Sequence, residues 1–434
     1  MPGFPAHHET AIAGRRLSPP DSDPMRGSNL SGVCMDNAFS ISDLERIFQR
    51  KFSLATAVKL LWKGRDSFEV IFNAVKEAQR LICLQFYIFK NDETGKELSE
   101  LLRNKSREGV PVYLLYDHFG SIGTPGRFWE EMKAAGIKIR ASHPFKWTAP
   151  FRYVHRDHRK LIVIDLKKAF TGGLNIANEY SGFHLRRQGR GWRDTGVMLE
   201  GPIVEELFDT FSRSWYTWRG ETIYLKGDDE TSVEKRKEEG VANRPPGFGK
   251  AEGLPALPIF VYSLKGRRRM RNLFRYSIDH ARKSVFLTTA YFTPSRRMIA
   301  SLEKAVKRGV DVRLLVPGKS DVPAASYAGR AFFSRLLKAG VQIYTYLGEM
   351  LHAKTYLFDG HWSIIGSTNL DYQSLMYNDE GNVGIFDDGF ALRMAEIFEE
   401  DTKNAVRIEL EAWRQRSLLD KMKEHFFALF RKRL

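Results

Sequence analysis

From residue 57 the chain alternates short apolar runs of strand length with segments whose apolar residues recur every three or four positions. AVKLLW (57–62), LICLQFYIF (81–89), VPVYLLYD (110–117) and IKIRAS (137–142) read as strands. DSFEVIFNAVKEAQ (66–79), TGKELSELLRNKSREG (94–109) and FWEEMKAAG (128–136) read as helices. Strands and helices alternating at this spacing predict an α/β protein built from βαβ units around mainly parallel sheets. Upstream, Ser42-Asp-Leu-Glu45 has the form of a capping box that opens a short amphipathic helix running to about Phe52. Residues 1–40 are rich in Pro, Gly, Ser and Asp and lack a period, as expected of a disordered leader.

The pattern then repeats. NLFRYSIDHARKSVFLTTAYF (272–292) echoes VIFNAVKEAQRLICLQFYIF (70–89), KRGVDVRLLVP (307–317) echoes SREGVPVYLLYD (106–117), and LLKAGVQIYTY (336–346) echoes EMKAAGIKIRA (131–141). An offset that stays near 200 residues marks an internal duplication, not a solenoid. The expected organisation is leader and short helix to residue 52, a first lobe over 53–225, a charged Gly/Pro-containing linker over 226–254, and a second lobe over 255–411. Residues 412–434 read as a C-terminal basic amphipathic helix, with Trp413, Leu418, Leu419, Met422, Phe426, Phe427 and Phe430 near helical spacing. Such a helix suits either docking on the second lobe or lying on anionic lipid.

The duplication matters because it carries one chemical pattern twice. His158-Arg-Lys160, Asp165 and GGLN ending at Asn175 match His352-Ala-Lys354, Asp359 and GSTN ending at Asn369. In both copies Lys follows His by two, Asp follows His by seven, and Asn follows Asp by ten. Alternation along a strand puts each His and Lys on one face. A lone histidine on an apolar strand is ordinarily a satisfied core residue, but a lysine beside it is almost never buried without a counter-charge. An ammonium group also makes a poor metal site, and no HExxH or Cys/His cluster occurs. The fitting anion is a phosphoryl group: lysines and asparagines supply cations and donors for its oxygens, one histidine attacks phosphorus, and the other handles the proton. No cofactor and no metal are needed for that chemistry.

Composition narrows the setting. Lys plus Arg (68) exceeds Asp plus Glu (52), a formal charge of +16 that favours polyanions, whether nucleic acid, anionic lipid surfaces or phosphorylated substrates. GRRRMRNLFR (266–275) and LRRQGRGWR (185–193) concentrate part of that charge near the repeats. Only two cysteines occur, Cys34 and Cys83, far apart and without a CxxC pattern, which argues against a disulfide scaffold and fits a reducing compartment. No apolar run approaches the ~20 residues that span a bilayer, so work on a membrane would be done from its surface.

HxKxxxxD followed by GGxN or GSxN, twice in one chain, resembles the phospholipase D superfamily over about residues 57–434. YFTP (291–294), NEYSG (178–182), GWRD (191–194) and the run LHAKTYLFDG…IGSTNLDYQSLMYNDE (351–380) are similar to bacterial cardiolipin synthases of the shorter type. The resemblance implies two α/β lobes related by a pseudo-two-fold axis, with a single active site between them. It implies a phosphatidyltransferase that joins two phosphatidylglycerol molecules into cardiolipin and glycerol through a phosphohistidine, with His158 as nucleophile and His352 as acid/base. It further implies a late carboxylate beside each histidine, Asp194 for the first copy and Glu380 beside His352 for the second. Asp165 and Asp359 complete the motif's catalytic set on paper, yet those two carboxylates leave them the task of holding the local fold. The implied partners are phosphatidylglycerol and an anionic membrane surface, with no nucleic acid and no obligate protein partner, at the cytoplasmic face of the cell membrane. A phospholipase D using water, a transphosphatidylase using another alcohol, and a phosphodiesterase nuclease are the alternatives that the same motifs allow.

Overall fold

The computed structural model describes residues 39–145, 155–183, 191–229, 231–234 and 253–432. The leader up to residue 38, most of the linker and residues 185–190 of one basic cluster lie outside the described residues.

Among the described residues, sixteen strands form two sheets. They are β1 (Ser53–Ala55), β2 (Ala57–Leu61), β3 (Ile82–Phe86), β4 (Val112–Asp117), β5 (Lys138–Ser142), β6 (Leu161–Ile164), β7 (Lys168–Gly172) and β8 (Gly196–Glu200) in the first half. The second half supplies β9 (Leu254–Val261), β10 (Ser284–Thr288), β11 (Asp311–Pro317), β12 (Gln342–Tyr346), β13 (Thr355–Phe358), β14 (Trp362–Gly366), β15 (Glu380–Phe386) and β16 (Ala405–Arg407). One sheet runs β2-β8-β7-β6-β3-β4-β5 and the other β1-β9-β15-β14-β13-β10-β11-β12-β16. Stripped of β1 and β16, the second order repeats the first strand for strand, which is the duplication in three dimensions.

The sheets are mixed, and this corrects the expectation of mainly parallel pairing. Only β3-β4-β5 and β10-β11-β12 run parallel; every other neighbouring pair is antiparallel. The cause is connection length. Helices Glu93–Arg107 and Gly126–Ala134 make the crossovers that parallel strands require, whereas β6 and β7 are joined by a tight turn that reverses the chain. Asp165 and Leu166 in that turn, and Asp359 in the β13–β14 turn, adopt left-handed backbone with φ of 55°, 57° and 54°.

Two boundaries also move. Residues 39–55, divided in the sequence reading between the leader segment and the first lobe, belong with the second sheet. β1 pairs with β9, and Phe39, Leu44, Phe48 and Phe52 enter the core of Leu257, Phe274 and Trp362. The helix there spans Ile41–Phe48 and is capped by Ser40, whose Oγ accepts the Asp43 N–H, so the cap falls two residues before Ser42. At the other end the chain forms two helices, Leu410–Arg414 and Leu418–Leu429, broken at Ser417, which caps the second. The inner faces of the two sheets meet in one apolar layer containing Cys83, Leu161, Val163, Val197, Leu357, Ile365 and Val383. That layer fixes the two halves against each other and sets the register of everything at its rim.

Candidate active site

His158 and His352 stand just before β6 and β13, strands that pair antiparallel with β3 and β10. Each therefore lies beyond the carboxyl ends of the parallel strands, where α/β sheets leave room for ligands. Before each histidine the chain makes a short parallel bridge to the opposite half: Asp157 with Asp379, and Leu351 with Arg193. The His158 N–H donates to Asp379 O at 2.9 Å, and the His352 N–H to Arg193 O at 2.8 Å. These bridges carry the neighbouring residues Glu380 and Asp194 across.

The consequence corrects the expected pairing. His158 Nδ1 lies 3.1 Å from Glu380 Oε2, and His352 Nδ1 lies 2.7 Å from Asp194 Oδ2. Both carboxylates reach a histidine, but each comes from the other half of the chain. An ionised carboxylate only accepts, so Nδ1 carries the hydrogen in each imidazole and Nε2 is the basic nitrogen. Both rings are buried, at 8% and 4% exposure.

Lys160 and Lys354 are buried as well, and each ammonium donates to the main-chain oxygen of its own histidine, 2.7 Å away for Lys160. An ammonium has three N–H groups, so this bond aims the lysine while leaving it donors for a ligand. Burial, reinforced by Lys354, pushes Lys160 down to about 7, and burial pushes Lys354 down to about 8 in spite of Asp194 and Glu380. Burial and Lys354 push His352 to about 4; burial and Lys160 lower His158 too. Burial favours the neutral form of Asp194, but His352 and Lys354 outweigh it and hold the carboxyl below its ordinary value. Burial thus leaves the site short of protons and of positive charge.

Asp165 and Asp359 stand away from this cluster. Asp165 accepts the N–H groups of Gln79, Arg80 and Leu81, and Asp359 those of Arg282, Lys283 and Ser284. Both clamp the loop that leads into the first strand of the parallel set and neither bonds a histidine, so, contrary to their place in the motif's catalytic set, they hold the local fold. Asn175 and Asn369 are buried; their Oδ1 atoms accept the N–H of Ile88 (3.0 Å) and Tyr291 (3.3 Å), and Asn175 Nδ2 donates to the Tyr180 hydroxyl. They hold the segments that follow β3 and β10 to the loops that follow β7 and β14.

A family model described as cardiolipin synthase, PLD-like domain, matches residues 71–215 and again residues 274–402. The chain belongs to that family. It is 32% identical to a probable cardiolipin synthase of Bacillus subtilis over 86% of this chain and 71% of the relative. It is 33% identical to a cardiolipin synthase of Geobacillus kaustophilus, with the same coverage, and to cardiolipin synthase A of Pseudomonas syringae over 82% and 70%. Among solved structures, the phosphatidylserine synthase of Haemophilus influenzae aligns with a TM-score of 0.69 at 13% identity, covering 91% of this chain and all of that one, which speaks to the fold. The protein is a phosphatidyltransferase of the phospholipase D superfamily, and among its described residues no helix is long and apolar enough to cross a membrane.

Within this cardiolipin synthase family member the two half-sites differ where GGLN faces GSTN. A Cβ on Gly173 would fall 2.1 Å from Asp194 Oδ1, so only glycine fits there. At the matching position Ser367 instead donates its hydroxyl to Glu380 Oε2 and accepts the Gly381 N–H. Ser367 is a residue the motif comparison flagged by its departure but did not place. Others left no signal in spacing: Arg193, held bidentate by Asp401 at 2.7 Å, and Arg267, bonded to Asp379 at 3.0 Å, fix the two crossing loops. Tyr87 packs edge-on to His158 at 5.0 Å, while Tyr180, Trp192 and Tyr291 surround His352. The basic cluster 266–275 therefore braces the site in part, through Arg267 and through Arg271, which donates to Leu375 O.

Proposed function

We propose that the enzyme makes cardiolipin, moving a phosphatidyl group from one phosphatidylglycerol to the terminal hydroxyl of another. The observation that carries this reading is the crossed pair of imidazole–carboxylate hydrogen bonds, which leaves an Nε2 on each histidine beside two buried lysines. In the reactive form His352 also carries a proton on Nε2; His158 Nε2 attacks phosphorus, the phosphorus–oxygen bond to glycerol breaks, and His352 gives that proton to the leaving oxygen. His352 then takes a proton from the acceptor hydroxyl, which attacks the phosphohistidine and frees His158. Lys160 and Lys354 hold the non-bridging oxygens, worth most in a site from which water is excluded, and Asn175 and Asn369 add amide donors at its edge. One phosphodiester replaces another, so the exchange needs no activated donor.

His158 is assigned as nucleophile because three aromatic rings crowd His352 and one packs on His158, which leaves the His158 ring the more open to phosphorus. Membrane contact is proposed at helix Leu418–Leu429. Its buried member is Glu424, bonded to Arg416 and Arg330, while Leu418, Met422 and Leu429 are 76%, 69% and 79% exposed. Lys421, Lys423, Arg431 and Lys432 add positive charge to the helix and its end, as suits an anionic bilayer surface on the cytoplasmic side. The test of the covalent step is rapid quenching with phosphatidylglycerol labelled at phosphorus: an acid-labile, base-stable phosphoenzyme lost in His158→Asn supports the assignment. A phosphoenzyme lost only in His352→Asn reverses it.

A further inference from the structure

The second lobe contains an apolar cavity that the headgroup chemistry does not use. It measures about 380 Å³ and lies beyond the carboxyl ends of β10, β11 and β12, on the same side of the sheet as His352. Its walls include Phe292, Val316, Phe333, Leu347, Ile408 and Trp413, and its volume is of the size that small-molecule sites have. Tyr291 lines it and also stands edge-on to the His352 imidazole, ring centroids 6.5 Å apart. That tyrosine is fixed at both ends: its N–H donates to Asn369, and its hydroxyl to Asp321 at 2.7 Å. One rigid ring thus has the reacting centre on one side and an apolar chamber on the other.

We propose that this chamber takes one fatty acyl chain of the phospholipid whose phosphate is bound between the histidines. The proposal rests on the lipid reading above and names the part of the substrate that the phosphate site leaves unaccounted for. The chemistry on the page matches a hydrocarbon chain: the wall is built of aromatic and branched side chains. Its one guanidinium, on Arg330, is already bonded to Glu424 and stacked on Trp413 at 5.2 Å. Leu347 and Val406, both exposed apolar residues, stand at its rim and present hydrocarbon to the outside, where a chain would enter. Tyr291 then sorts the substrate, phosphate ester to one side and chain to the other.

Ser326, on helix Pro323–Arg330, lines the cavity and touches none of the catalytic groups named here, so Ser326→Trp fills the chamber without altering them. Turnover is compared on dioleoyl and dibutyryl phosphatidylglycerol in the same detergent, with thermal melting as the control for folding. The expected result is a rise in KM of about tenfold or more for the dioleoyl lipid, with kcat and KM for the dibutyryl lipid kept. Equal effects on the two lipids, or none on the dioleoyl lipid, overturn the proposal. Should the variant not fold, the full wild-type chain is photolabelled with a phosphatidylglycerol bearing a diazirine at the end of one chain. Label on residues 290–292, 316–333, 345–347 or 406–413 supports the chamber, and label confined to other segments overturns it. Failure of the wild type to turn over even the dibutyryl lipid would strike the proposed reaction instead, and the photolabel would still judge the chamber alone.

Discussion

Two buried lysines whose ammonium groups are half discharged make a quantitative prediction: binding a phosphodiester must draw protons out of the solvent. With Lys160 at about 7 and Lys354 at about 8, the ligand-free site at roughly pH 7.5 has the first about three-quarters neutral and the second about one-quarter neutral. A bound monoanion restores both, so the uptake is about one proton per site at that pH. A phosphonate analogue of short-chain phosphatidylglycerol is the right probe, because it stays a monoanion throughout and brings no proton of its own. Calorimetric titration in two buffers of different ionisation enthalpy reads the uptake directly. It should fall towards zero near roughly pH 6, where both lysines are already charged, and rise towards two at alkaline pH as affinity weakens. Lys160→Met should remove more than half of the uptake at roughly pH 7.5. The same groups govern stability. Their folded values lie below the unfolded value of 10.5, so the unfolded chain binds more protons between about pH 7 and that value. Ligand-free stability should therefore gain from these groups as pH rises through that window, by on the order of 5 kcal/mol for Lys160, and the analogue should flatten the gain. Enthalpies that do not depend on the buffer between roughly pH 6 and 9, or an uptake untouched by Lys160→Met, would refute the reasoning.

The crossed hydrogen bonds predict that Asp194→Asn disturbs the Nδ1 resonance of His352 and leaves that of His158 in place, with Glu380→Gln doing the reverse; nitrogen NMR of labelled histidine reads both, and the opposite pattern would restore pairing within each half. Asp165→Ala takes the acceptor from three N–H groups, so it should cost about 3 kcal/mol in denaturant melts while the folded fraction keeps its kcat. His158→Ala and His352→Ala should each abolish turnover, and substantial activity in either would divide the shared site into two. Leu418→Ser with Met422→Ser should weaken binding to anionic vesicles in flotation assays, each lost apolar anchor counting about 2 kcal/mol, and leave turnover of the dibutyryl lipid unchanged.

The sequence exposed this site because both of its signals are periodic. Alternation placed His and Lys on one strand face, and duplication repeated the pair at a fixed offset, so the four residues that the fold buries together, His158, Lys160, His352 and Lys354, were legible without coordinates. Partnership across the halves was not. Spacing reports neighbours along the chain, and Glu380 reaches His158 only because the Asp157–Asp379 bridge forms between distant loops. Residues 39–55 were misplaced for a similar reason: Phe48 and Phe52 read as any amphipathic edge would, and which sheet they cover is decided by the open face beside β9 and Trp362. The break at Ser417 was missed since apolar spacing runs through it, whereas Glu424 turns inward to Arg416 and Arg330 and sends the hydrocarbon out. Strand direction was half legible, because the helices that force parallel pairing are periodic and the turns at Asp165 and Asp359 are each only three residues long.

The central claim is that one crossed site transfers a phosphatidyl group from lipid to lipid. Incubating the purified chain with phosphatidylglycerol labelled in its glycerol headgroup and its acyl chains, and resolving the products, tests it most directly. Labelled cardiolipin and free glycerol in equal amounts are the predicted result. Phosphatidic acid with glycerol and no cardiolipin would contradict transfer and leave water as the acceptor, and an unchanged lipid would contradict the whole assignment.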